Sequence, residues 1–129
     1  MNKIKRAMNG NINKNLKIMS WNKGNSYIKH SIEDIRDLIY NHKPDILVIN
    51  ELRLFEDEDI SIASIKGYNL EVDNLREKYK ESRTGIYIKD NLIYERVTKF
   101  EAELSSTVCI KVGFKKTRKI YICGFYQPP

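Results

Sequence analysis

Apolar positions follow two regimes along this chain. Up to about Leu52 they form a short β-like run, a stretch at helical spacing and a second β-like run, and after Gly67 they alternate with polar residues in short segments. The first run, from Leu16 to Asn22, reads as a strand, and Lys23-Gly24-Asn25-Ser26 as a loop whose glycine and short polar residues permit a tight turn. Ile32, Ile35, Leu38 and Ile39 share one face of a helix, with Ser31 and Asp34 placed as a capping pair at its start. That helix should stop by Asn41 to Lys43, because Pro44 disfavours helical geometry in the residue before it. Asp45 to Leu52 contains Ile-Leu-Val-Ile without alternation, the pattern of a strand covered on both faces and therefore central in its sheet. A helical crossover makes the two strands parallel, so their C-terminal ends open on one side, where α/β sheets bind ligands. Beyond Gly67, alternating strands are expected over Tyr68 to Val72, Gly85 to Lys89, Ile93 to Phe100, Thr107 to Phe114 and Ile120 to Phe125. Turn residues at Lys89-Asp90-Asn91 and Lys115-Lys116-Thr117-Arg118 make them mostly antiparallel. The fold class is α/β, one βαβ unit followed by a meander.

Two segments stand outside this pattern. Residues 1–15 are rich in Asn and Lys with no steady apolar period and read as a flexible tail, leaving residues 16–129 as one domain. Phe55 to Asp59 carries four consecutive acids but lacks the glycine and spacing of a calcium loop, so a solvated acidic turn is expected.

Composition narrows the class. At 129 residues with 41% hydrophobic and 31% charged content, the chain can bury one modest core. The N-terminus lacks the apolar stretch of a secretory signal, and the longest aliphatic run, Ile46 to Ile49, is too short to cross a bilayer. An intracellular protein without membrane contact is expected, the nucleus being one candidate compartment. Cys109 and Cys123 sit in β-rich apolar runs without metal-ligand spacing, which favours buried free thiols over a disulfide. The net charge of +6 is uneven: residues 1–30 hold seven Lys/Arg and no acid, residues 31–81 hold seven against thirteen acids, and residues 82–129 hold nine against four. Two basic zones around an acidic one suit a polyanion that needs a cation at its reacting centre, although lysine-rich surfaces also serve solubility alone.

The candidate chemistry sits at the strand ends. Ser20-Trp21-Asn22 closes the first strand and Asn50-Glu51 the second, so Asn22 and Glu51 should be neighbours on the ligand side of the sheet. A carboxylate at the edge of such a core is costly unless hydrated, paired or bound to a cation. His30 and His42 flank the helix and lie in no Asp-His pair, the pattern of ordinary surface histidines.

Five segments occur in an order that resembles the endonuclease/exonuclease/phosphatase superfamily: Lys17-Ile-Met-Ser-Trp-Asn22, Lys43-Pro-Asp-Ile-Leu-Val-Ile-Asn-Glu51, Gly67-Tyr-Asn69, Arg83-Thr-Gly-Ile-Tyr-Ile88 and Ile122-Cys-Gly-Phe-Tyr-Gln-Pro-Pro129. The Trp-Asn-Lys-Gly-Asn-Ser stretch is most similar to the endonuclease domain of non-LTR, LINE-type retrotransposons. The resemblance implies the N-terminal half of a two-sheet αββα sandwich that hydrolyses phosphate esters with magnesium, manganese being the alternative, and DNA as substrate. It assigns Glu51 to the metal, Asn22 to orienting the phosphate or a bound water, and Tyr126 to a phosphate oxygen. Each has a plainer reading: a capping acid, a turn asparagine and a strand-end tyrosine. Asn50 stands where a glutamine is common and Gln127 where retroelement relatives often have arginine.

The family's later Asp-x-Asn and Ser-Asp-His motifs do not occur here. Attack by water needs a positioned base and stabilisation of phosphoryl charge, so the chain alone is expected to be inactive, the N-terminal portion of a catalytic domain. Half a sandwich is also expected to leave the inner face of its sheet and a strand edge open to water. The alternatives are a nucleic-acid-binding module without catalysis, and a phosphatase or lipid-phosphodiesterase branch of the same superfamily.

Overall fold

The computed structural model describes residues 15–101, 106–114 and 118–126. Most of the expected tail, Met1 to Lys14, the turn at Lys115 to Thr117 and Gln127 to Pro129 lie outside the described residues. Strand β1 (Ile18–Trp21) leads through a loop to helix α1 (Ile28–His42) and strand β2 (Ile46–Ile49). Strands β1 and β2 pair in parallel, Trp21 opposite Ile49, as the crossover requires. Two short strands, β3 (Leu54–Phe55) and β5 (Glu81–Ser82), pair with each other beside the main sheet. Between them run a 3-10 turn (Ile60–Ala63), strand β4 (Tyr68–Val72) and a one-turn helix α2 (Arg76–Tyr79). Strand β6 (Gly85–Lys89) inserts antiparallel between β2 and β4, giving the sheet order β1-β2-β6-β4. A second sheet is an antiparallel meander of β7 (Tyr94–Arg96), β8 (Ser106–Phe114) and β9 (Arg118–Tyr126).

Strand β2 is buried along its whole length, and its alternation explains why. Leu47 and Ile49 face α1, where Ile28, Ile32, Ile35 and Ile39 close the first core, while Ile46 and Val48 join Ile86 and Ile88 against Val108, Ile110 and Val112 of the second sheet. The layers are therefore helix, sheet, sheet. At Gly124 the sheets approach so closely that a Cβ there would sit 2.6 Å from Val48 Cγ1, so only glycine fits that point of β9.

Four expectations are corrected. Helix α1 starts three residues before Ser31, which lies buried within it and donates its hydroxyl to the Tyr27 carbonyl at 3.1 Å instead of capping the end. The stretch over Ile93 to Phe100 is a strand only to Arg96 and then a 3-10 turn (Thr98–Phe100). The inner face of the sheet is not open, because the second sheet covers it; what faces outward is the far side of β7-β8-β9. Cys109 and Cys123 are not free thiols. They stand directly opposite in the β8–β9 register with Cα atoms 4.2 Å apart and form a disulfide. The hairpin register that makes them partners is a tertiary fact that their apolar neighbourhoods do not encode.

Candidate active site

Three strand ends and two loops meet on one rim. Glu51 lies just past the end of β2, Arg83 precedes β6, Tyr126 ends β9 and Asn25 lies in the β1–α1 loop. With Arg53, these residues line a cavity of about 70 Å³. The backbone draws them together: Leu52 N–H donates to the Arg83 carbonyl at 2.6 Å, and Ile28 N–H to the Arg53 carbonyl at 3.2 Å. Arg53 holds a left-handed backbone, φ 56°, which is uncommon for a side-chain-bearing residue and reverses the chain just after Glu51.

Glu81, nearly buried, organises the cations. Its Oε2 accepts from Arg53 Nε at 3.1 Å and its Oε1 from Arg83 Nε at 2.7 Å. Arg53 also donates to the Asn25 carbonyl at 3.1 Å and to Asn25 Oδ1 at 2.6 Å, and its guanidinium lies 4.7 Å from the centre of the Tyr27 ring. The Arg83 guanidinium lies 4.9 Å from the centre of the Tyr126 ring. One carboxylate thus sets two guanidinium groups, each against a tyrosine face. The hydrogen bond to Glu81 holds the Arg83 pKa above its ordinary value, with the Glu81, Tyr126 and Glu51 charges adding to it.

Behind the cavity, the buried Asp73 ties both sheets to the same rim. Its Oδ2 accepts from the backbone N–H groups of Arg83 at 2.8 Å and Thr84 at 3.1 Å and from Ser106 Oγ at 2.6 Å, and its Oδ1 accepts from Leu75 N–H at 3.1 Å. Ser106 is the register partner of Tyr126, so this carboxylate anchors the backbone of one cavity residue and the strand opposite another.

Lys23 approaches from the β1–α1 loop, donating its ammonium to the Ser26 carbonyl. Burial pulls its pKa from 10.5 down to about 8, with Glu51 opposing the shift and Arg53 adding to it. Because the folded state binds this proton less tightly than the unfolded chain, the cost is present at neutral pH and is relieved between about pH 8 and 10.5. Stability should therefore gain a rising component across that window, and Lys23→Met should remove it; unfolding midpoints measured from about pH 7 to 10 check this.

Glu51 and Tyr126 thus share one cavity. Asn22 does not line it: its Oδ1 accepts from Gly24 N–H at 3.1 Å, closing the turn after β1. Asn50 N–H donates to the Trp21 carbonyl at 3.4 Å, which keeps Asn22 and Glu51 on the same end of adjacent strands. The sequence pointed to Arg83 only as part of a motif and missed Lys23, Arg53, Asp73 and Glu81 as site residues. His30 and His42 are exposed on α1, away from the cavity lining.

No known family's sequence profile matches the chain, and no curated protein does. Likeness appears in solved structures. The endonuclease domain of TRAS1, a telomere-specific non-LTR retrotransposon, superposes with a TM-score of 0.63 at 12% identity over 88% of this chain and 46% of that one. The chain has the endonuclease/exonuclease/phosphatase fold. Truncated TDP2 from Caenorhabditis elegans is similar with a TM-score of 0.60 at 16% identity, over 88% of this chain and 47% of that one. The chain thus spans about half the length of these structures, and at such identities the likeness speaks for architecture alone. Among the described residues, no helix is long and apolar enough to cross a membrane.

Proposed function

We propose that this chain carries the Glu51 side of a magnesium-dependent phosphodiesterase site, with DNA as the substrate in the manner of a retrotransposon-type endonuclease. The observation that carries the reading is the pairing of Glu51 with Arg83, Arg53 and Tyr126 around one small cavity at the ligand end of the sheet. A carboxylate suits a hard cation and the guanidinium groups suit phosphate oxygens.

The donor set fits magnesium as a partial shell. Magnesium keeps several waters and is commonly held by one or two carboxylates together with substrate phosphate. Among the described residues no cluster of three metal-ligating side chains exists, so one carboxylate with water and phosphate is the arrangement that these residues permit. Lys23, Arg53 and Arg83 surround Glu51, while Glu81 already serves both arginines. That balance disfavours a bare divalent cation and favours one that arrives with phosphate. When bound, the metal would polarise the phosphoryl group and lower the pKa of a coordinated water. Arg83 would neutralise a phosphate oxygen, the Tyr126 phenol would donate to another, and Glu81 would hold Arg83 in place. Lys23 would add positive charge at the rim near neutral pH.

The test is binding of a short DNA duplex by the purified chain, with magnesium and with EDTA. Affinity should rise about tenfold in magnesium, and Glu51→Ala should abolish that gain while leaving the magnesium-independent part. Equal affinity in both buffers, or an undiminished gain in Glu51→Ala, would overturn the reading. Plasmid nicking by this chain should be slight.

A further inference from the structure

The two guanidinium groups at the rim are turned apart. Glu81 holds one on each of its carboxylate oxygens, with Arg83 against Tyr126 at the end of the second sheet and Arg53 against Tyr27 at the head of α1. The series Tyr126, Arg83, Glu81, Arg53, Tyr27 therefore crosses the rim from the second sheet to the helix layer, with a cation and a phenol on either side of one acid. Tyr126 lines the Glu51 cavity, whereas Tyr27 does not.

Tyr27 is held by its ring alone. The Arg53 guanidinium lies 4.7 Å from the ring centre, and the Phe55 ring is 4.8 Å away, tilted by 58°. The residue is 38% exposed, and its hydroxyl has no hydrogen-bond partner among the described residues. Arg53 uses Nε on Glu81 and Nη1 on Asn25, which leaves Nη2 without a partner among the described residues, and that atom is not sealed from solvent. A fixed cation and a fixed phenol side by side are the donors of an anion site.

This corner lies on the helix side of the molecule, opposite the outward face of the second sheet. The Leu52–Arg83 backbone bond makes β3 and β5 continue the β2–β6 pair, so the corner is also on the side of β2 away from the β1 edge. Beyond it the charge reverses. Past Phe55 come Glu56 and Asp57, both exposed, so the positive surface ends just beyond Tyr27.

We propose that Arg53 and the Tyr27 hydroxyl form a second phosphate subsite, which takes the phosphate next along the strand from the one at Arg83, and that contact with the strand ends there on this side. The proposal rests on the reading of the Glu51 cavity as a phosphate site. Guanidinium groups that hang on the two oxygens of one carboxylate and face opposite ways suit two phosphates joined through one sugar better than a single phosphate. A third phosphate would meet Glu56 and Asp57, and like charges repel. A base stacked on Tyr27 is the poorer occupant, because Arg53 already lies over that ring.

Calorimetric titration of the purified chain with thymidine carrying a phosphate at the 5′ position, at both the 5′ and 3′ positions, and with the dinucleotide that carries three phosphates tests the proposal, in EDTA so that no metal contributes. The bisphosphate should bind about thirtyfold more tightly than the monophosphate, and the third phosphate should add less than about twofold. Tyr27→Phe keeps the ring and removes only the hydroxyl, and should cut the bisphosphate advantage roughly fivefold. Arg53→Gln should remove most of it, and thermal melts show whether that variant folds; if it does not, Tyr27→Phe decides. Tyr40→Phe, exposed elsewhere on α1, should change nothing. A bisphosphate bound no more tightly than the monophosphate, an advantage undiminished in Tyr27→Phe, or a third phosphate that adds as much as the second, as a diffuse positive field would give, would overturn the subsite. In the first case, a monophosphate affinity that is lost in Arg83→Met leaves the reading of the cavity intact, whereas no binding of either compound would sink both.

Discussion

Asp73→Ala should be among the most damaging single changes in this chain, costing about 3–5 kcal/mol of unfolding free energy. The carboxylate is 2% exposed and accepts four hydrogen bonds from donors on three segments. Alanine would leave the Arg83 and Thr84 amides and the Ser106 hydroxyl with a void where their acceptor was. Thr84 Oγ1 and Ser106 Oγ lie 2.6 Å apart and can partly satisfy each other, which keeps the loss below the sum of separate bonds to a charged group. Against a typical stability of about 5–15 kcal/mol, the remaining margin is small. Urea unfolding followed through Trp21, the single tryptophan, which packs against the first core, measures the change. Asp73→Asn should fall between the two, since its amide oxygen can still accept while its NH₂ faces donors. A loss under about 1 kcal/mol would mean that the sheets are held together by apolar packing alone.

The same residue illustrates what a sequence conceals. Ile46 to Ile49 announced a strand buried on both faces because a run without alternation has few other uses, and Glu51 stood out as a candidate because it follows that run. The parallel direction of β1 and β2 then followed from the helical crossover between them. Asp73 carries no comparable mark: nothing near it separates a buried acceptor from an ordinary turn aspartate until Thr84 and Ser106 are brought beside it. Arg53 and Glu81 lie 28 positions apart, and the left-handed turn at Arg53 that brings the cations together has no glycine to signal it. Strands β3 and β5, two residues each, are too short for any period. Asn22 shows the reverse. Its motif singled it out for the site, whereas its side chain is engaged in the turn with Gly24.

Glu81→Ala is the second change with a large expected effect, because it removes the anion between two cations and leaves both in place. Losing one partner of a buried ion pair costs about 3–5 kcal/mol. The Arg83 side chain is 39% exposed and that of Arg53 18%, so water can take up part of the released charge, and about 2–3 kcal/mol is the expected loss. The origin of the loss can be read from its salt dependence. If it is repulsion between guanidinium groups, raising ionic strength from about 0.05 to 0.5 M should restore part of the stability to Glu81→Ala, because screening acts within a few ångströms at the higher value. A loss caused only by the missing side-chain volume would not respond to salt. Glu81→Gln separates the contributions further, since it keeps an acceptor but removes the charge, and should resemble alanine in its salt response while losing less stability. In the alanine variant Arg83 is no longer fixed against Tyr126, so the magnesium-independent DNA affinity of the cavity should fall along with stability. Retention of that affinity in a folded Glu81→Ala chain would show that Arg83 contacts phosphate without the help of its carboxylate partner, and that Glu81 serves the fold alone.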